Sequence, residues 1–169
     1  LESICSILER IGAAKINVFR ELLLLIDMPG APATDYSTPR ARTEKLNAYF
    51  ASVRDGIDGA KVELGVKELI ADLRAKSAAI ARQIQKTEWL EEGFFNGYYD
   101  NLKSRVEGKV SGKIRMTLTG QVFPIMAGIA SREQVNSIFQ NARKHLKEPS
   151  LGGFRLNTDF GEEQLSLGR

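Results

Sequence analysis

The acidic side chains that accompany aromatic and glycine-rich stretches are the residues of this sequence best suited to chemistry. Asp27 and Asp35 share a proline-rich segment, and Asp100, Asp159 and Glu162 lie among aromatic residues and glycines. Aromatic ring faces stack on the CH groups of sugars, while carboxylates and amides bind their hydroxyls. This combination is compatible with a carbohydrate site, and core packing with turn capping is the alternative interpretation.

Other kinds of chemistry lack the residues they need. The sequence has no glycine-rich phosphate loop and no Gly-x-Ser-x-Gly motif, and its one cysteine and one histidine cannot supply a tetrahedral zinc site. The 24 basic and 21 acidic residues alternate along the chain without a block of like charge. We therefore expect no metal, no organic cofactor and no nucleic-acid partner.

A further candidate is Gln121, which lies where two hydrophobic patterns meet. Alternating apolar residues predict a strand from Ile114 to Leu118, and the nearly unbroken apolar run from Val122 to Ala130 predicts a helix buried in the core. A buried amide at this junction must find hydrogen-bond partners. It is either a structural bracket or a group that faces a cavity.

Most of the chain has helical periodicity. Apolar residues at helical spacing predict a first helix from about Ile4 to Ile26, with Ser3 as its N-cap, and a second that begins at Pro39 after Thr38. They also predict a third helix from Val66 to Ile84, closed by Trp89 and Leu90, and a last helix after Ser131. Three prolines make the segment from Asp27 to Pro39 a loop. The dipeptide Asn96-Gly97 predicts a β-hairpin, and an extended segment follows near Phe154. The expected fold is mainly α, in one domain of 169 residues.

Three strings in the second half resemble a known enzyme family. GFFNGYYDN, RMTLTGQVFPIMAGIAS and LGGFRLNTDFGE, with a fainter likeness in YSTPRARTEKLNAYF, are similar to the catalytic domain of glycoside hydrolase family 94, formerly glycosyltransferase family 36. The resemblance is strongest to the β-1,2-oligoglucan phosphorylase and cyclic β-1,2-glucan synthase branch. It is sharpest over residues 93–161.

The resemblance implies part of an (α/α)6 toroid with a short β-hairpin and an extended C-terminal segment. The implied reaction is inverting phosphorolysis of a β-linked glucan, in which inorganic phosphate is the co-substrate and attacks the anomeric carbon while a carboxylic acid protonates the leaving oxygen. That acid must stay protonated near neutral pH, which requires burial to raise its pKa.

Candidate site residues follow from this likeness. The Asp-Trp-Asn-Asp motif that carries the acid in cellobiose-type members is absent, so position alone favours Asp35 as the acid, with Asp27 as the alternative. Gln121 matches a glutamine of the family. The substrate-binding candidates that line the implied cleft are Tyr98, Asp100, Gln121, Arg155, Asn157 and Asp159.

The resemblance also implies that the chain is a fragment of a larger, cytoplasmic enzyme, or of the cytoplasmic part of a membrane-associated glucan synthase. Its expected partners are a β-glucan oligosaccharide and either a second copy of the chain or the remainder of the parent protein. The alternative to an enzyme is a non-catalytic helical module that binds glucan or a protein partner.

Overall fold

The computed structural model describes residues 1–30, 34–36 and 38–161. The chain divides into two compact units, Leu1–Arg82 and Gln83–Arg169, which are described separately below. Within the described residues there are five α-helices, one 3-10 helix and three antiparallel two-stranded sheets. The prediction of a mainly α protein with short β elements is confirmed. The (α/α)6 toroid remains a prediction.

The first unit opens with a short helix followed by a strand, so the single helix predicted from Ile4 to Ile26 is wrong. Helix α1 spans Glu2–Ile11, strand β1 spans Lys15–Phe19, and a 3-10 helix spans Arg20–Leu25. Gly12 ends α1 in the left-handed region, at φ 68°, and its N–H donates to Leu8 O at 3.4 Å. Glycine adopts this conformation without steric cost and is the usual residue at helix C-termini.

The rest of the first unit follows the sequence signals more closely. Helix α2 spans Pro39–Val53, with the predicted proline in its first turn, and strand β2 spans Lys61–Gly65. Strand β2 pairs with β1 in antiparallel register, with Val18 opposite Val62. Helix α3 spans Val66–Thr87 and confirms the third predicted helix. The buried apolar residues of this unit are Cys5, Leu8, Leu64 and Val66.

In the second unit, Asn96-Gly97 does not form the turn of the predicted hairpin. The β-bridge between Trp89 and Phe95 encloses a turn at Gly93, where φ is 86°, and Asn96 is buried beyond that turn. A hairpin forms instead between β3 (Gly108–Val110) and β4 (Lys113–Arg115). Its two turn residues, Ser111 and Gly112, both have positive φ, as the tight type I′ turn requires.

The strand predicted to run from Ile114 to Leu118 is shorter than expected. This strand is β4, which ends at Arg115. Thr117 then forms a β-bridge with Asn157 before helix α4 begins. Helix α4 spans Leu118–Met126, and α5 spans Arg132–His145 with the predicted Ser131 cap. The two-residue strands β5 (Lys147–Glu148) and β6 (Gly153–Phe154) pair after α5.

Helix α4 does not form the buried core helix that its apolar sequence predicts. Phe123 and Met126 are 66% and 77% exposed, and Gln121 is its buried residue. The core of the second unit instead consists of side chains from the 90–95 turn, Met116, α5 and the residue that follows α5: Leu90, Phe94, Phe95, Met116, Ile138, Ala142 and Leu146. Within the described residues, no helix has the length and apolar character needed to cross a membrane.

Candidate functional site

A cleft of about 290 Å³ lies in the second unit, between the end of α3, the 96–99 segment and α4. Its volume is close to the lower end of the roughly 300–1,000 Å³ that small-molecule sites occupy. One part of its wall is apolar and the other is polar. The lining residues are Ile84, Glu88, Asn96, Gly97, Tyr99, Thr119, Gly120, Phe123, Pro124, Ala127 and Ile129.

The polar side of the cleft is organised around the carboxylate of Glu88. The Tyr99 hydroxyl donates to both of its oxygens, at 2.9 and 3.0 Å, and the Asn96 amide donates to Oε2 at 3.0 Å. The Thr87 hydroxyl donates to Oε1 at 2.7 Å. Hydrogen bonds to a charged acceptor are stronger than neutral ones, so these contacts hold Tyr99 and Asn96 in fixed positions on the cleft wall.

Behind this wall lies a second, deeply buried carboxylate, that of Glu107. Its side chain accepts hydrogen bonds from the backbone N–H groups of Gly97 and Thr117, while its own N–H donates to Asn96 Oδ1 at 3.2 Å. Glu107 is only 3% exposed. It therefore joins the segment containing Asn96 and Gly97 to the start of α4 and fixes one wall of the cleft against the other.

Burial raises the pKa of the Glu107 carboxyl above its ordinary value. Hydrogen bonds from Thr117, Gly97 and Gln121 favour the charged form and oppose that rise. A carboxyl that keeps its proton over a wider pH range can donate as well as accept a hydrogen bond.

Gln121 is a structural bracket, which is one of the two roles that its position in the sequence allowed. Its Oε1 accepts from the N–H of Phe95 at 2.8 Å and its Nε2 donates to the C=O of Phe95 at 2.8 Å. Nε2 also donates to Thr117 O at 3.2 Å. The side chain is 1% exposed, so these contacts tie α4 to Phe95, which directly precedes the cleft residues Asn96 and Gly97.

For three of the other predicted substrate-binding residues, Asp100, Asn157 and Asp159, the side chain makes hydrogen bonds to the nearby backbone. Asp100 Oδ1 accepts from the N–H groups of Leu102 and Ser104, both at 2.8 Å. Asn157 Nδ2 donates to Thr158 O at 2.8 Å, and Asp159 Oδ1 accepts from the Gly161 N–H at 2.8 Å. These contacts close turns of the backbone.

Tyr98 and Arg155 have different surroundings. Tyr98 is half-buried, and its C=O accepts from the Val106 N–H at 3.3 Å. Arg155 contacts Glu148, with Nε and Nη2 at 3.0 and 2.5 Å from its Oε2. The β-bridge between Thr117 and Asn157 brings the C-terminal segment beside the start of α4.

The two acid candidates belong to the first unit. Asp35 is exposed, and its C=O accepts from the N–H and hydroxyl of Thr38 at 3.3 and 3.2 Å. Burial alone would raise the pKa of Asp27, but hydrogen bonds from Lys45 and Thr34 outweigh it and lower that pKa to about 2. A carboxyl that ionises so readily is a poor proton donor at neutral pH. Glu162, the remaining acidic candidate, lies outside the described residues.

Four residues of the cleft and its support were not identified from sequence: Glu88, Asn96, Tyr99 and Glu107. Asn96 and Tyr99 lie inside the GFFNGYYDN string, in which the family resemblance indicates Tyr98 and Asp100. The position of Glu88, beside Trp89 at the end of a long helix, was a usable signal. Glu107 had none, because its partners are 10 residues or more away in the chain.

Among residues 1–30, 34–36 and 38–161, no group of three or more metal-ligating side chains comes together. A scan of protein-family models finds no match to the chain, and a search of curated proteins finds no similar protein.

Proposed function

We propose that this chain is part of a carbohydrate-active enzyme that performs inverting phosphorolysis of β-linked glucans, with inorganic phosphate as its co-substrate. The observation that carries the proposal is the cleft in the second unit, in which a carboxylate, an amide and a phenol converge opposite an apolar wall. Proteins bind sugars with this combination of groups, because sugar rings have both hydroxyls and apolar CH faces.

The cleft supplies both kinds of contact. Beside its bonds from Thr87, Asn96 and Tyr99, the Glu88 carboxylate has room to accept from about one sugar hydroxyl. The Tyr99 oxygen, whose hydrogen is donated to Glu88, can accept from a neighbouring hydroxyl. Phe123, which also lines the cleft and is 66% exposed, offers a ring face for stacking. The volume of about 290 Å³ limits the bound part of the glucan to a short segment.

The reaction itself needs a protonated acid and a bound phosphate. We retain Asp35 as the proposed acid on its position in the sequence alone, because the low pKa of Asp27 suits a charged structural group instead. Asp35 is exposed, so the burial that this role requires would have to come with the bound substrate. In an inverting reaction phosphate attacks the anomeric carbon from the side opposite the leaving oxygen, so no protein nucleophile is required. Arg155, Asn157, Asp159, Asp100 and Tyr98 stay proposed substrate contacts in the region beside α4.

The second candidate function is a non-catalytic module that binds glucan or a protein partner. It is favoured by the exposed apolar side chains of α4, since contiguous apolar surface marks interaction sites. In this alternative the cleft binds sugar, and no bond is broken.

The test is to supply the protein in its complete form with a β-1,2-gluco-oligosaccharide and inorganic phosphate, and to assay glucose 1-phosphate. We expect phosphate-dependent product, and we expect Asp35→Asn to abolish turnover while leaving glucan binding intact. Retained turnover in Asp35→Asn eliminates this residue as the acid. Glucan binding without any product supports the non-catalytic module, and the absence of both binding and product contradicts the proposal.

A further inference from the structure

The first unit contains a cavity of its own, of about 360 Å³, between the end of the 3-10 helix, α2 and α3. Its walls are made mainly of aliphatic side chains, and Leu46 and Ile80 at its edge are 46% and 48% exposed. The aliphatic lining residues are Leu1, Leu25, Ile26, Leu46, Leu73 and Ile80. Burying an alkyl group here would remove apolar surface from water on both sides of the contact.

Part of the wall of this cavity is polar and connected by hydrogen bonds. Lys45 pairs with Asp27, and Lys76 pairs with Asp72, whose side chain is 3% exposed. The Asp27 N–H donates to Asp72 Oδ1 at 3.0 Å, and Lys76 Nζ donates to the C=O of Leu25 at 2.8 Å. Both carboxylates are therefore already engaged by lysines from α2 and α3.

Arg42 is the charged lining residue that this network does not neutralise. It is half-buried, and among the described residues no carboxylate lies within 4.0 Å of its guanidinium. Among the charged groups that line the cavity or pair with its lining, Arg42, Lys45 and Lys76 give three positive charges against the two negative charges of Asp27 and Asp72. The cavity thus combines an apolar body with an excess of one positive charge, on a planar group suited to binding a carboxylate through two hydrogen bonds.

We propose that this cavity binds an anionic amphiphile, a carboxylate with an unbranched alkyl chain of medium length. The carboxylate pairs with Arg42 and the alkyl chain lies against the aliphatic wall. Charge complementarity selects the anion, because a cationic head group would meet Arg42, Lys45 and Lys76. The site is separate from the proposed glucan cleft and does not depend on the proposed reaction.

The test titrates the chain with decanoate, decanol and decylammonium, below their aggregation concentrations, and follows the amide NMR signals. We expect saturable binding of decanoate, shifts concentrated at Ile26, Leu73 and Ile80, and affinity at least tenfold above that for decanol or decylammonium. In the series hexanoate, octanoate and decanoate, affinity should rise about fourfold per methylene group. Equal affinity for decanol or decylammonium, or no binding of decanoate, would overturn the proposal.

Arg42→Gln gives the sharper comparison, because it removes the charge and keeps a polar side chain. We expect it to weaken decanoate binding about tenfold and to leave decanol binding unchanged. Arg54→Gln, an exposed position outside the cavity, is the matched control and should bind decanoate like the unaltered protein. Unchanged decanoate affinity in a folded Arg42→Gln would contradict the proposed contact, and the comparison of decanoate with decanol and decylammonium decides the case if that variant does not fold.

Discussion

Gly97 and Gly120 approach each other so closely that neither position has room for a side chain. A Cβ on Gly97 would lie 2.7 Å from the Cα of Gly120, and a Cβ on Gly120 would lie 2.9 Å from the Cα of Gly97. Both would also lie within 2.8 Å of Glu107 Oε2. This contact sets the two walls of the cleft against each other, and it places the buried carboxylate directly behind both glycines.

Gly120→Ala should therefore destabilise the protein, although alanine is the better helix former. Helix propensity favours alanine by about 1 kcal/mol, whereas overpacking against backbone costs about 1–3 kcal/mol. We expect the clash to dominate, with a net loss of about 1–2 kcal/mol in the free energy of unfolding. Urea denaturation measures it. Gly153→Ala, where a Cβ meets nothing within 4 Å, is the control. Equal stability of the two variants would show that the contact can relax.

Gln121→Met should be destabilising because it leaves Phe95 without its buried partners. Methionine fills a similar volume, so the main loss is the pair of 2.8 Å hydrogen bonds to the N–H and C=O of Phe95. Leaving a buried polar group unpaired costs about 1–3 kcal/mol. Thermal unfolding should show a clear drop in Tm, while Gln140→Met on the exposed face of α5 should change it little. A Tm equal to that of the control would argue against the bracket role.

The stability contributed by Glu107 should fall as pH rises. Its pKa is raised in the folded state from the ordinary 4.5, so the folded state keeps a proton that the unfolded chain has already lost. The contribution is complete below about pH 4.5 and is lost as pH rises through the folded pKa. Urea unfolding from about pH 4 to about neutral pH measures the stability difference between the unaltered protein and Glu107→Gln. We expect this difference to shrink as the pH rises. A difference that grows with pH would have the wrong sign.

Asp27 should have the opposite pH dependence. Its pKa is lowered from 3.8 to about 2, so its stabilising contribution is present above pH 3.8 and is lost as pH falls toward 2. The shift corresponds to about 2 kcal/mol, because one pKa unit is about 1.4 kcal/mol. Asp27→Asn should abolish this part of the acid transition. Glu44→Gln, in the exposed pair with Arg40, should leave it unchanged, and an unchanged transition in Asp27→Asn would contradict the assignment.

The sequence predicted the elements whose stability is local. Helix α3, the proline at the start of α2 and the Ser131 cap all depend on residues a few positions apart. The stretch from Lys15 to Phe19 was wrongly assigned to a helix, because its apolar residues fit both periods and its strand partner lies near residue 63. The hairpin signal of Asn96-Gly97 failed since Asn96 is held inside by Glu88 and Glu107.

The candidate site was less predictable than the fold, because its residues converge from positions that are distant in the chain. The GFFNGYYDN string contains Asn96 and Tyr99 of the cleft, but their convergence on Glu88 could not be seen without the position of Glu88. The two interpretations of Gln121 could be separated only when Phe95 was placed beside it. Convergence of groups from α3, the 96–99 segment and α4 is a tertiary property that no local pattern encodes.

The most direct test of the central claim is an NMR titration of the chain with a β-1,2-gluco-oligosaccharide. We predict saturable shifts at the amides of Gly97, Tyr99 and Gly120, weakened about tenfold by Glu88→Gln, which corresponds to about 1.4 kcal/mol. Glu91→Gln, an exposed acid outside the cleft, should leave the affinity unchanged. Shifts confined to residues outside the cleft, or an affinity that Glu88→Gln does not change, would contradict the claim that this cleft binds glucan.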